Sequence, residues 1–238
     1  MPSQPISQHT YYPVFQPLFL LENHQPTGYE ALLRNREGLS PESVFHQTRL
    51  EDRLYELDTF SAKTAILTFA EQTRGIDDSS LLFVNLFPST ILHPDFPQFL
   101  RQTIEMSAIS SNRIVLEINE AKEEEMMWEM ENLETSLQQL REEGFRYALD
   151  DVGKGAASLT KIIQCEPDYL KLDRFFSSGL SVSSKKQQLV SLFVQYCRDR
   201  SQLVLEGIEN KEDLEMAKSL GVPLGQGFLL GMPSGLKM

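Results

Sequence analysis

Short apolar runs rich in Val, Ile, Leu, Phe and Tyr recur along the chain, separated by longer amphipathic stretches, which is the rhythm of strands alternating with helices. The first run, residues 11–20, leads into the turn-like Glu22-Asn23-His24-Gln25-Pro26-Thr27-Gly28 and a second run at 29–33, so an antiparallel hairpin is predicted. Further strands are predicted at 81–86, 113–118, 145–149, 169–172 and 203–205, with a weak last one at 222–224. Residues 41–74 are long enough for two helices. Residues 123–143 carry Met126, Met130, Leu133, Leu137 and Leu140 at helical spacing, which predicts a core-facing stripe. Helices are also predicted at 183–199 and 211–220, the latter stopped by Gly221. No Pro, Gly or Ser-rich linker interrupts this alternation, which favours one parallel α/β barrel over an open sheet with an appended domain. Residues 1–10 read as a flexible leader and 11–238 as a single domain.

Composition adds exclusions. With 238 residues, 41% of them hydrophobic, the chain can bury a large core. A net charge of -12 argues against binding a DNA or RNA duplex or an anionic membrane, both of which need a positive field. An anionic substrate would need local cations, either metal ions or a few Arg and Lys side chains in a cleft. Cys165 and Cys197 have neither metal-ligand nor redox spacing, which fits buried thiols in a reducing compartment. The amino terminus has no signal-peptide-like apolar run, and no stretch approaches about 18 uninterrupted apolar residues. A cytoplasmic protein is therefore expected.

The chemistry lies where the apolar runs end. Leu-Phe-Val ends in Asn85, Ile-Val-Leu in Glu117, Tyr-Ala-Leu in Asp150 and Asp151, Leu-Val-Leu in Glu206, and Gly-Tyr leads to Glu30. A β/α barrel gathers the carboxyl ends of its strands at one mouth, so five carboxylates and an amide would face one cleft. Like charges at that spacing raise one another's pKa and oppose folding unless a cation intervenes. Oxygen donors without Cys or His select Mg²⁺ or Mn²⁺, and the adjacent Asp150 and Asp151 suggest two ions, one carboxylate bridging. Lys171, inside the apolar run Tyr-Leu-Lys-Leu, is costly to bury unpaired and is expected to reach the acids. Singly, a strand-end acid more often caps the next helix or meets water; repetition on several strands weakens that reading.

These residues, in this order, resemble the EAL domain, the bacterial phosphodiesterase family acting on cyclic di-GMP. The signature stands as Glu30-Ala31-Leu32-Leu33-Arg34, accompanied by Phe15-Gln16-Pro17-Leu18, Phe83-Val84-Asn85-Leu86, Leu116-Glu117-Ile118-Asn119-Glu120, Ala148-Leu149-Asp150-Asp151, Leu170-Lys171-Leu172-Asp173, Leu205-Glu206-Gly207-Ile208-Glu209 and Gln226-Gly227-Phe228. The resemblance implies a modified TIM (β/α)8 barrel with an antiparallel first strand. It implies metal binding by Glu30, Asn85, Glu117, Asp150, Asp151 and Glu206, with Lys171 ordering or polarising the attacking water and Glu206 also able to act as base. It further implies that Gln16 and Gln226 line the site, that Arg34 holds a substrate phosphate, that Glu120 anchors the loop after Asp151, and that Glu209 supports the site from behind. The reaction implied is hydrolysis of cyclic di-GMP to linear pGpG, in a homodimer. The family loop Asp-Asp-Phe-Gly-Thr-Gly-Tyr-Ser-Ser-Leu stands here as Asp150-Asp151-Val152-Gly153-Lys154-Gly155-Ala156-Ala157-Ser158-Leu159. That departure keeps a second reading open, a cyclic di-GMP receptor with weak or no catalysis. Paired acids at strand ends also serve glycosidases, but two would suffice there.

Overall fold

In the computed structural model, which describes residues 6–74, 79–119, 122–128, 131–153 and 158–236, eight strands close into a barrel in sequence order. In chain order the elements are β1 (Tyr11–Leu20), β2 (Gln25–Asn35), α1 (Pro41–Leu50), α2 (Leu54–Gln72), β3 (Leu81–Leu86), α3 (Pro88–Ile91), α4 (Phe96–Ser107), β4 (Ile114–Ile118), α5 (Glu125–Trp128), α6 (Glu131–Glu142), β5 (Arg146–Val152), α7 (Ser158–Cys165), β6 (Tyr169–Leu172), α8 (Arg174–Ser177), α9 (Ser184–Cys197), β7 (Gln202–Leu205), α10 (Lys211–Ser219) and β8 (Leu224–Gly225). β1 runs antiparallel to both β2 and β8, and every other neighbouring pair is parallel. This is the TIM-like barrel with a reversed first strand that the sequence predicts. No helix among the described residues is long and apolar enough to cross a membrane.

The two-residue period of the strands builds the molecule in layers. Leu18, Phe83, Val115, Ala148, Tyr169, Val204 and Leu224, from seven strands, pack together in the barrel interior. Outward-facing neighbours such as Leu82, Val84, Leu116, Leu149, Leu170 and Leu205 join the helices in the larger core. Each such fully buried Leu, Ile or Val stabilises the fold by about 2 kcal/mol relative to leaving it exposed. Stepping two residues from the interior layer toward the mouth keeps the same face and reaches Asn85, Glu117, Asp150, Lys171, Glu206 and Gln226. On the reversed β1 the step from Leu18 runs backwards and reaches Gln16.

Several elements differ from the sequence expectation. β2 starts at Gln25 because pairing with β1 continues to Leu20, and a register shift at Leu18/Phe19 brings the hairpin into the tight turn at Asn23 and His24. Asn23 Oδ1 accepts from Gln25 N at 3.1 Å, and His24 takes a left-handed φ of 60°. The helix predicted over 123–143 is described as a 3-10 turn (Lys122–Glu124) followed by α5 and α6. Leu133, Leu137 and Leu140 are buried as the stripe requires, but Met126 is 78% exposed; Met130 lies outside the described residues. α4 and α7 carry no clear sequence signal: Pro94 and Pro97 punctuate the start of α4, and α7 is only eight residues long.

The end of β5 is the irregular part of the barrel. Pairing with β6 shifts register between Leu149 and Val152, so Asp150 and Asp151 occupy a bulge. Asp151 adopts φ 55°, which rotates it off the regular pleat. Gly153 follows at φ 103°, and a Cβ there would stand 2.3 Å from a ring carbon of the buried Phe176. Gly153→Ala is therefore expected to cost about 2 kcal/mol or more, from backbone strain plus overpacking, read as a lowered midpoint in urea unfolding.

Candidate metal centre

At the mouth of the barrel the polar layer converges on one ammonium. Lys171 is 1% exposed, and its Nζ lies 2.5 Å from Glu117, 2.8 Å from Glu206, 3.3 Å from Glu30 and 3.5 Å from Asp150. Glu30 is held from two further sides: Gln226 Nε2 donates to it at 2.8 Å and Asn85 Nδ2 at 3.1 Å. Four strands thus deliver carboxylates, two deliver amides and one delivers the lysine. A fifth acid, Asp151, offers an oxygen that lies with oxygens of Asp150 and Glu206 within 4.8 Å of one another. Consecutive residues on a regular strand point to opposite faces; the β5 bulge is what allows Asp150 and Asp151 to serve the same mouth.

One ammonium does not balance these acids. Burial works against the Lys171 charge, but Asp150, Glu117, Glu206 and Glu30 more than offset it and hold the ammonium well above the usual lysine range. Burial likewise pushes on Glu30, yet Lys171, Gln226 and Asn85 bring it below the usual glutamate range. Glu117 goes the other way: burial and then the charge of Glu30 raise it well above the ordinary value, Lys171 notwithstanding. Burial also raises Asp150, against the pull of Lys171, and raises Glu206 to about 8. Burial and mutual repulsion thus oppose ionisation of Glu117, Asp150 and Glu206, which a further cation would favour.

The donor set fits a hard divalent ion. Glu117 Oε2, Asp150 Oδ1 and Gln226 Oε1 are buried without a hydrogen-bond partner; Asp150 Oδ1 has only the 3.5 Å ion-pair approach of Lys171. Unpartnered buried oxygens are expensive, and the chemistry that satisfies carboxylate and amide oxygens together is Mg²⁺, Mn²⁺ or Ca²⁺.

A cleft of about 470 Å³ opens beside the cluster, with Glu30, Asn85, Asp150 and Asp151 on its floor and Arg34, Phe45, Arg49 and Phe87 on its walls. Arg34 donates Nη1 to the Leu33 carbonyl at 2.9 Å and stays half-exposed along the cleft. Gln16, opposite Glu30 in the β1–β2 register, is buried and turns its amide to the Gly231 carbonyl at 3.1 Å. Gln226 sits where β8 leaves the barrel, a position tightly fixed because a Cβ on Gly227 would stand 2.2 Å from the Ile208 carbonyl. Glu209 is exposed and pairs with Arg174 at 3.3 Å. Glu120 and residues 154–157 of the departed loop lie outside the described residues, while Val152 is fully buried in the core.

Sequence reasoning passed over three residues beside the cleft. Asp58, 1% exposed on α2, and Glu124, 4% exposed after β4, are buried acids, and Glu124 pairs with Arg49 of α1 at 2.8 Å. Residues 55–69 also carry Glu56 and Lys63, so nothing in the sequence singles out Asp58.

Comparison with known proteins agrees with this geometry. The family model for the EAL domain matches residues 3–233. The cyclic di-GMP phosphodiesterase PdeF of Escherichia coli (strain K12) is 29% identical over 216 residues, covering 87% of this chain and 28% of PdeF. The probable cyclic di-GMP phosphodiesterase PdeI of the same organism is 26% identical over 227 residues, covering 92% of this chain and 28% of PdeI. The chain therefore spans little more than a quarter of the length of these relatives. Among solved structures, the calcium/cyclic di-GMP complex of Klebsiella pneumoniae BlrP1 at pH 8.0 superposes with a TM-score of 0.86 at 27% identity, covering 98% of this chain and 58% of that one. The manganese/cyclic di-GMP complex of BlrP1 at pH 9.0 gives 0.85 at 28% identity, covering 98% and 57%. With a reversed-strand barrel, a strand-end acid cluster and a family match over almost its whole length, the chain belongs to the EAL domain family.

Proposed function

We propose that this chain hydrolyses cyclic di-GMP to linear pGpG, using Mg²⁺ or Mn²⁺, most simply as a pair of ions, held by Glu30, Asn85, Glu117, Asp150, Asp151 and Glu206. The observation that carries this reading is the surplus of buried acid oxygen around Lys171, with three site oxygens left without a donor. When bound, the ions supply Lewis acidity that activates water and offsets charge on the attacking and leaving oxygens. Arg34 presents a planar fork of donors to a substrate phosphate, which a lysine at that position would not reproduce. Lys171 keeps the acids in place and orders the water. Glu206, 2.8 Å from the Lys171 ammonium that favours its ionised form, would take the water proton as the new P–O bond forms. The P–O3′ bond breaks in line and the freed 3′ oxygen is protonated, leaving a 5′-phosphorylated linear dinucleotide. Gln226 and Gln16 support Glu30 and the β1 wall. A homodimer acting in the cytoplasm belongs to the same reading.

Purified protein with Mn²⁺ or Mg²⁺ is expected to yield pGpG from cyclic di-GMP by chromatography, with the product lost on chelation and in Glu30→Ala. Tight binding without pGpG over hours in either metal would replace the enzyme with the receptor reading. Arg34→Lys is expected to raise KM about tenfold or more with a smaller change in kcat, since it removes paired phosphate donors and leaves the acids intact.

Lys171→Met leaves the buried carboxylates without their ammonium. Loss of about 3 kcal/mol or more of stability is expected without divalent ion, and Mn²⁺ should recover part of it in thermal unfolding. Equal Mn²⁺ shifts in wild type and variant would count against metal and lysine sharing one acid cluster.

A further inference from the structure

The turn that follows Asn85 is tied to three other parts of the molecule. β3 ends at Leu86, and Pro88, which has no N–H, opens the short α3. The two free amides flanking that proline each meet a buried carboxylate. Phe87 N donates to Asp58 Oδ2 at 2.9 Å, and Ser89 N donates to Glu124 Oε2 at 2.8 Å. The other Glu124 oxygen accepts from Arg49 Nη2 at 2.8 Å, and the Arg49 guanidinium lies over the Phe87 ring at 5.0 Å. Phe45 meets the same ring edge-on at 5.2 Å. Helices α1 and α2 and the segment after β4 therefore all grip one turn.

Two of the gripping groups are acids with almost no exposure, a costly device for holding an ordinary surface turn. Burial foremost, against the Phe87 amide, raises the Asp58 carboxyl to about 7. What lies two residues before the gripped amide is Asn85, the only neutral member of the sequence-predicted ligand set. Its amide nitrogen is spent on Glu30 at 3.1 Å and approaches the Ala31 carbonyl at 3.4 Å, so its oxygen points wherever the strand end directs it. An ionised ligand is drawn to a cation by its charge; a carboxamide must be aimed.

We infer that Asp58 and Glu124, the latter linked by Arg49 to α1, are positioning residues that aim the Asn85 carboxamide at the cation site by fixing the turn from Phe87 to Ser89. This rests on the proposed metal-dependent reaction, but its first consequence is metal affinity, which is measurable without substrate. Outer groups that orient ligands change metal affinity by about tenfold to a hundredfold when removed.

The experiment is Mn²⁺ binding, followed by electron paramagnetic resonance of the free ion, on the chain as wild type, Asp58→Ala, Asp58→Asn, Glu124→Ala and Glu124→Gln, with unfolding curves to set a temperature at which each is folded. The Ala variants should weaken Mn²⁺ about tenfold, while Asn and Gln, which keep an acceptor oxygen for the amide, should recover to within about threefold. In turnover, the Ala variants should lose kcat at low Mn²⁺, regain it at excess Mn²⁺, and leave KM for cyclic di-GMP little changed. Glu124 stands in a 3-10 turn outside the helices, so its variants test the idea even where Asp58→Ala does not fold. Ala variants that bind Mn²⁺ like wild type overturn the inference even if wild type makes pGpG. The predicted Mn²⁺ pattern in a protein that makes no pGpG overturns only the hydrolytic reading, and wild type that binds no Mn²⁺ overturns both.

Discussion

The structure is organised around a single buried ammonium. Lys171 stands on a short strand, four residues all buried, and its charge is tolerable only because acids from four other strands reach it. Those acids are tolerable in turn only because the ammonium is there. The requirement is mutual and spans the sheet, so β2, β4, β5, β6 and β7 cannot slide past one another without stranding charge in the interior. A one-residue slip would also invert the faces of a strand and carry its charge into the outer apolar core. Hydrophobic packing closes the barrel; the charge cluster fixes its register.

The same layer logic explains why so much chemistry fits in little space. The apolar belt of Phe83, Val115, Ala148, Tyr169 and Val204 fills the barrel one layer below the polar residues, and the side chains two residues on share its inward face. Glu30 stands above Gly28, whose missing side chain lets β2 lie against the Leu81 backbone; a Cβ there would come within 2.8 Å of that carbonyl. Where the regular period fails, at the β5 bulge, two successive acids face the mouth together. Regularity supplies the ring, and one local defect enriches it.

Much of this was legible in the sequence because the strands are short and end on their polar residue. Asn85, Glu117 and Glu206 could be read from apolar runs that stop at a charge or an amide, and Lys171 as a charge inside one, and the structure brings those four positions together. Gln226 could not be read so: β8 has two residues, too few for a period, and the position came from resemblance to a family motif. Asp58 and Glu124 escaped for another reason. One sits inside a helix buried on several sides and the other in a 3-10 turn, so neither has a periodic partner, and their role depends on amides freed by Pro88 in a distant segment. The expected stripe is buried at Leu133, Leu137 and Leu140 of α6, while Met126 of α5 faces outward.

The hydrogen bond from Gln226 to Glu30 spans 196 residues, and the one from Lys171 to Glu30 spans 141. Contacts so distant along the chain form late, since the entropy of closing the intervening loop must be overcome first. During synthesis the acid of β2 emerges long before its ammonium on β6 and longer still before its amide on β8. The full set of contacts to Glu30 is complete only with β8, which carries Gln226 at its end, in place beside the reversed first strand.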